Sequence, residues 1–177
     1  TMALGDSAQT SGFGSSAFGV VARALANQSL ALGAFSNASA EGATAIGNRS
    51  SASAKGALAI GNMSNVTGCQ STAIGQNNTV AGANSTVIGR NVKTLNNQTD
   101  QIALAHDLNL TCASSSSKST YIGHNITGGA NWSFNDSTVI GNNMNFVANH
   151  SANSGLVKSS VIGNDINYNS YAQSCAT

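Results

Sequence analysis

Thirteen asparagines stand two residues before a Ser or Thr: Asn27, Asn37, Asn48, Asn62, Asn65, Asn77, Asn84, Asn97, Asn109, Asn125, Asn131, Asn135 and Asn149. This arrangement is the acceptor for an N-linked glycan. The chain has 23 Asn, and 40 of its 177 residues are Ser or Thr, so random placement would give roughly five such sites. The excess points to covalent N-glycans, a modification that the chain receives rather than performs. Sugars would also keep a chain with only 7% charged residues in solution, and they imply an extracellular location, on a cell or virion surface.

The other reactive side chains do not converge on a reaction. His106, His124 and His150 lie 18 and 26 residues apart, without a His-x-x-x-His spacing. They read as exposed turn residues, and no metal site is expected. Asp6, Glu41, Asp100, Asp107, Asp136 and Asp165 are scattered, with neither an acid pair nor a calcium loop. Ser11-Gly12-Phe13-Gly14 lacks the Lys-Ser/Thr ending of a phosphate loop. Cys69, Cys112 and Cys175 form an odd set with no Cys-x-x-Cys. In an oxidising compartment one intrachain bridge would leave one thiol free or bonded between chains. Cys112 with Cys175 is the plausible pair, both lying where the chain is least regular, while Cys69 could instead be a small buried hydrophobe. The expectation is a non-enzymatic protein with no cofactor.

Composition excludes further classes. The formal net charge is +1 and the charges are dispersed, so nucleic acid is not an expected partner. No apolar run is long enough to span a bilayer, so this segment should make no membrane contact. No charged stretch followed by an apolar one opens the chain, which therefore reads as a mature or partial fragment whose anchor lies outside it or is absent. A chain rich in Ser, Thr, Asn, Ala and Gly is either disordered or a thin solenoid with small residues inside.

Periodicity decides for the solenoid. An aliphatic or aromatic residue followed by Gly recurs at Leu4-Gly5, Phe18-Gly19, Leu32-Gly33, Ile46-Gly47, Ile60-Gly61, Ile74-Gly75 and Ile88-Gly89, always 14 residues apart. The series continues at Leu104-Ala105, Ile122-Gly123, Ile140-Gly141 and Ile162-Gly163, with spacings of 16, 18, 18 and 22. Residues 1–95 thus form regular 14-residue repeats, and 96–177 continue them with longer loop insertions. Eleven coils at the spacing of strands in a sheet would make a rod on the order of 50 Å long.

Ala or Val precedes the aliphatic in Ala31-Leu32, Ala45-Ile46, Ala59-Ile60, Ala73-Ile74 and Val87-Ile88. Neighbours in a strand face opposite sides, so both sides of this strand are apolar. With Leu32, Ile46, Ile60, Ile74, Ile88, Ile122, Ile140 and Ile162 as core or interchain-packing residues, the aliphatic column is expected inside the coil and the Ala/Val column against another chain. A second, half-buried strand follows, with Ala38 and Ala40, Ala52 and Ala54, Val66 and Gly68, Val80 and Gly82 alternating with polar residues. None of the thirteen acceptors falls between two residues before an anchor aliphatic and the Gly after it, so the anchor columns read as buried and the turns as exposed. Thr44, Thr72, Thr86, Thr120 and Thr138 form a ladder, which raises ice binding as a minor reading. Leu30 and Leu58 interrupt it, and it reads as packing.

The coils Ala45-Ile46-Gly47-Asn48-Arg49-Ser50-Ser51-Ala52-Ser53-Ala54-Lys55-Gly56 and Ala31-Leu32-Gly33-Ala34-Phe35-Ser36-Asn37-Ala38-Ser39-Ala40-Glu41-Gly42 resemble the head repeat of YadA-like trimeric autotransporter adhesins. The resemblance covers residues 1–95 closely and the rest loosely. It implies a left-handed parallel β-roll, three chains per head, and attachment to host matrix or cells. Family members usually continue into a coiled-coil stalk and a barrel anchor, and no heptad stretch or barrel strand is visible here. Ile122-Gly123-His124 is also similar to hexapeptide-repeat acyltransferases, but their coil holds 18 residues and this chain keeps 14 through its first half.

The expected fold is therefore an all-β parallel β-solenoid assembled as a homotrimer. The expected function is a trimeric, glycosylated adhesin head or stalk that attaches to a host matrix or cell-surface ligand. The alternative is a structural subunit of a glycosylated extracellular fibre or sheath, whose partners are neighbouring fibre subunits. The loops around 105–120 and 142–158 are the expected specific binding surface.

Overall fold

The computed structural model describes residues 1–94, 98–110, 116–128, 132–148 and 154–170. Every regular element among them is a β-strand, and every strand pair is parallel. The main sheet runs along the rod through eleven successive strands, from Met2–Leu4 to Ser160–Asn164, each bonded to the next coil's strand. The strand Asn167–Ser170 also joins it, pairing with Thr138–Ala148. A second sheet stacks six two-residue strands from Gln9–Thr10 to Thr79–Val80. A third begins where the coils lengthen and stacks Gln98–Thr99, Ser116–Ser117, Trp132–Asn135 and Ser154–Val157.

Register follows the sequence repeat. Ile46 pairs with Ile60, Ile60 with Ile74 and Ile74 with Ile88, a step of 14. Thr86 then pairs with Ile102, Ile102 with Thr120, Thr120 with Thr138 and Thr138 with Ser160. Turns are bonded from coil to coil as well as strands: the Met63 amide donates to the Asn48 carbonyl at 3.0 Å, and Gln70 to Lys55 at 2.9 Å. A chain that spends its amides this way has little room for proline, which cannot donate, and the sequence contains none.

Two turn columns rotate the chain. One holds Arg49, Met63, Asn77, Asn91, Asp107, Asn125, Asn143 and Asp165, with φ between 50° and 55°. The other includes Gln70, Asn84, Asp100, Lys118 and Asp136, also left-handed. Asn and Asp tolerate this conformation best among residues bearing a Cβ. The Gly after each anchor is required on two counts. Gly61 has φ +124°, and a Cβ there would stand 1.8 Å from the Gly75 carbonyl oxygen of the next coil.

The interior overturns one expectation. Ala17, Ala31, Ala45, Ala59, Ala73 and Val87 are fully buried and form the inward column, whereas Leu32 is 43% and Ile88 42% exposed. The two columns have exchanged roles, so Leu32, Ile46, Ile60, Ile74, Ile88, Ile122, Ile140 and Ile162 are not the core of a single coil. Volume explains the exchange. A 14-residue coil closes too tightly for Leu or Ile inside, and a methyl fills the space without strain. Ala38, Ala52, Val66 and Val80 complete this interior from the second strand. Its corners are buried serines that satisfy local carbonyls, with Ser36 Oγ donating to Gly33 at 2.8 Å and Ser64 Oγ to Gly75 at 2.8 Å.

Where the coils lengthen, the core enlarges. The corner three residues after the Gly column reads Ser36, Ser50, Ser64, Asn78, then Val92, Leu108, Ile126 and Met144, all buried. Tyr121, Phe134 and Phe146 stack edge to face, with centroids 5.5 and 5.1 Å apart. The two strands of each coil merge into one, giving Ile102–Leu110, Thr120–Gly128 and Thr138–Ala148. The parts 105–110 and 142–148 of the expected binding loops are therefore strand. Residues 111–115 and 149–153 of those loops lie outside the described residues.

Candidate functional site

Side chains that face out from the main strands form the first surface. Leu30 and Leu32, Thr44 and Ile46, Leu58 and Ile60, Thr72 and Ile74, Thr86 and Ile88, Ile102 and Leu104 point the same way on successive rungs. Thr120 with Ile122 and Thr138 with Ile140 continue the stripe, and Ile162 ends it at 70% exposure. The Thr ladder is thus one edge of an apolar face. A continuous apolar stripe of this length marks an interaction surface.

The second surface is polar and follows the Gly corner. Along the turn column, amides bond from coil to coil: Asn77 Nδ2 donates to Asn91 Oδ1 at 3.0 Å, and Asn91 Nδ2 to Asp107 Oδ1 at 2.7 Å. Further along, Asn125 Nδ2 donates to Asn143 Oδ1 at 3.1 Å and Asn143 Nδ2 to Asp165 Oδ1 at 2.7 Å. Beside this ladder runs a groove of about 430 Å³ whose opposite wall includes Thr79, Lys93, Asn109 and Thr127.

The register also brings two histidines together. His106 pairs with His124 on the next strand, and the rings stack with centroids 4.8 Å apart. Arg90, one strand earlier, donates its Nε to His106 Nε2 at 2.7 Å, and its Nη2 contacts the same nitrogen. When Nε2 accepts from Arg90, only Nδ1 can carry the ring proton, and Nδ1 stands 3.2 Å from Asp107 Oδ2. His124 Nε2 is 3.9 Å from the same oxygen. The hydrogen bond from Asn91 holds the Asp107 carboxyl below its ordinary pKa, helped by His106, Arg90 and His124 and opposed by partial desolvation. Spacing rules drawn from helices and loops miss this cluster. The usable signal was that both histidines follow an anchor dipeptide, Leu104-Ala105-His106 and Ile122-Gly123-His124, so that one coil separates them.

Among the acceptor asparagines, Asn27, Asn48, Asn62, Asn77, Asn84, Asn109 and Asn125 are exposed, and Asn37, Asn65 and Asn135 are half-buried. Asn97, Asn131 and Asn149 lie outside the described residues. Asn48 and Asn62 follow the Gly column on neighbouring coils, with Asn62 Nδ2 3.4 Å from Asn48 Oδ1. Asn37 and Asn65 share the outward column of the second sheet, and Asn109 continues it through a bridge to Lys93. Cys69 is an exposed free thiol rather than a buried hydrophobe. The expected Cys112–Cys175 bridge falls outside the described residues.

No match is found among curated proteins. The family of the YadA head domain repeat matches residues 11–36, 24–50, 38–64 and 67–91, the stretch in which the 14-residue register is unbroken. Its repeats coincide with the coils that carry the Ala interior, the Gly corner and the outward Ile/Leu stripe. Over residues 11–64 and 67–91 the chain is therefore similar to the YadA head domain repeat.

Proposed function

We propose that the chain is a trimeric, N-glycosylated adhesin head or stalk, displayed outside the cell, that attaches to a host matrix or cell-surface ligand. The carrying observation is the outward Ile/Leu stripe, which a single chain leaves in contact with water. Three copies in parallel register, each turning this face to the common axis, would cover it. Thr44, Thr72 and Thr86 at its edge would pack there too, which leaves no free Thr surface for ice. The exposed acceptors flank the other sides, so glycans and a ligand share the periphery while the axis stays dry. The groove beside the Asn ladder is the concave part of that periphery.

Attachment is tested by presenting the purified, glycosylated chain to immobilised matrix proteins and to host cells. Saturable binding that survives glycan removal supports an adhesin. Absence of binding to either would favour the second reading, a glycosylated fibre or sheath subunit, for which acceptors on more than one side of the rod speak. Glycan occupancy gives a separate check. Asn84 and Asn109 are expected to be occupied more fully than Asn77 and Asn125, whose amide nitrogens bond within the ladder one coil from a neighbour. Glycopeptide mass spectrometry reads the ratio, and equal occupancy at Asn77 and Asn84 would contradict it.

A further inference from the structure

The stacked histidines have no part in the adhesive reading. We propose that His106, Asp107 and His124 form a site for a divalent transition metal of the zinc type, one per chain, held through His106 Nδ1, Asp107 Oδ2 and His124 Nε2.

The candidate ligand atoms of these residues lie within 4.8 Å of one another. A tetrahedral zinc with bonds of about 2.0–2.2 Å needs its donors roughly 3.3–3.5 Å apart. Asp107 Oδ2 stands 3.2 Å from His106 Nδ1 and 3.9 Å from His124 Nε2, so the donors are already near this spacing, and the two stacked rings must turn out of parallel to aim both lone pairs at one ion. Two imidazoles and one carboxylate suit zinc, cobalt, nickel or copper and disfavour calcium and magnesium, which prefer oxygen. The site is also organised in advance. His106 and His124 project from neighbouring strands locked in register, and Asn91 occupies Asp107 Oδ1, which leaves Oδ2 to the metal. Such outer hydrogen bonds hold a ligand in its binding orientation. Three protein ligands leave a fourth position for water or for a donor from a bound partner.

Arg90 opposes the ion. It donates to His106 Nε2, which places the ring proton on Nδ1 for as long as that bond lasts. Ligation through Nδ1 moves that proton to Nε2, where Arg90 can no longer donate, so the guanidinium must swing away. Arg90 is exposed and long enough to do so.

Calorimetric titration of the full chain with Zn2+ tests the site. One ion per chain is expected. His106→Ala, His124→Ala and Asp107→Asn should each weaken binding by about tenfold to a hundredfold or more, while Arg90→Ala should tighten it. In the unmodified chain, Co2+ should broaden the ring signals of His106 and His124 ahead of those of His150, a readout that needs no variant. Absence of saturable Zn2+ uptake would overturn the proposal. So would uptake undiminished in the His106→Ala/His124→Ala double variant, which would leave the cluster as an Arg-His-Asp hydrogen-bond chain.

Discussion

Gly75→Ala is expected to destabilise the rod by about 3 kcal/mol or more, since backbone strain and overpacking each cost about 1–3 kcal/mol. Gly75 has φ +123°, and an added Cβ would meet the Gly89 carbonyl oxygen at 1.9 Å. That oxygen belongs to the backbone of the next coil, so relief requires the coils to separate. Gly42→Ala is the control. Gly42 also has positive φ, +66°, but a Cβ there meets nothing within 4 Å. Only the left-handed cost of about 1–2 kcal/mol remains. Thermal unfolding of the two variants should therefore separate clearly, and a Gly75→Ala chain that melts with the parent would show that the coils are not stacked this closely. The one Cβ that the column carries, at Ala105, fits this reasoning: Ala105 is absent from the residues with positive φ.

Ile60→Asp and Ile74→Asp together are expected to convert the proposed trimer to a folded monomer. Finishing the burial of a half-covered Ile or Leu is worth about 1 kcal/mol. The stripe offers such a residue on nearly every rung, enough to exceed an association cost on the order of 4–15 kcal/mol. A carboxylate on that face would be desolvated without a partner, and three copies would bring like charges together on the axis. The coil itself should survive, because Ile60 and Ile74 face outward while the buried Ala59 and Ala73 fill the interior. Circular dichroism with sedimentation separates the outcomes: strand content kept and mass reduced supports the face. Unfolding would mean that these residues hold the coil, and an intact trimer would place the interface elsewhere.

The 14-residue period was legible from Leu4-Gly5 to Ile88-Gly89, because stacked coils force the same residue types into the same corner. The direction of each column was not. Hydrophobicity ranks Ile above Ala for burial, but in so thin a coil the available volume decides, and Ala45 goes inside while Ile46 goes out. The later half hid its architecture differently. The longer spacing between Ile88 and Leu104 reads as a longer loop, yet Val92 and Leu108 take the corner that Asn78 holds earlier, and one strand runs through Ile102–Leu110. The contact of His106 with His124 was invisible to any spacing rule that did not know the local coil length. The ladder from Asn77 to Asp107 was hidden likewise, because Asn at a left-handed turn is common and only stacking aligns successive amides.

Light scattering on the native particle, with protein mass separated from sugar by enzymatic removal of N-glycans, tests the central claim most directly. A protein mass of three times the 17.7 kDa chain, unchanged after deglycosylation, is the expected result and places the Ile/Leu stripe on a shared axis. A protein mass of one chain, with the strand content intact, would contradict trimeric burial of that stripe and leave the apolar face without the partner assigned to it.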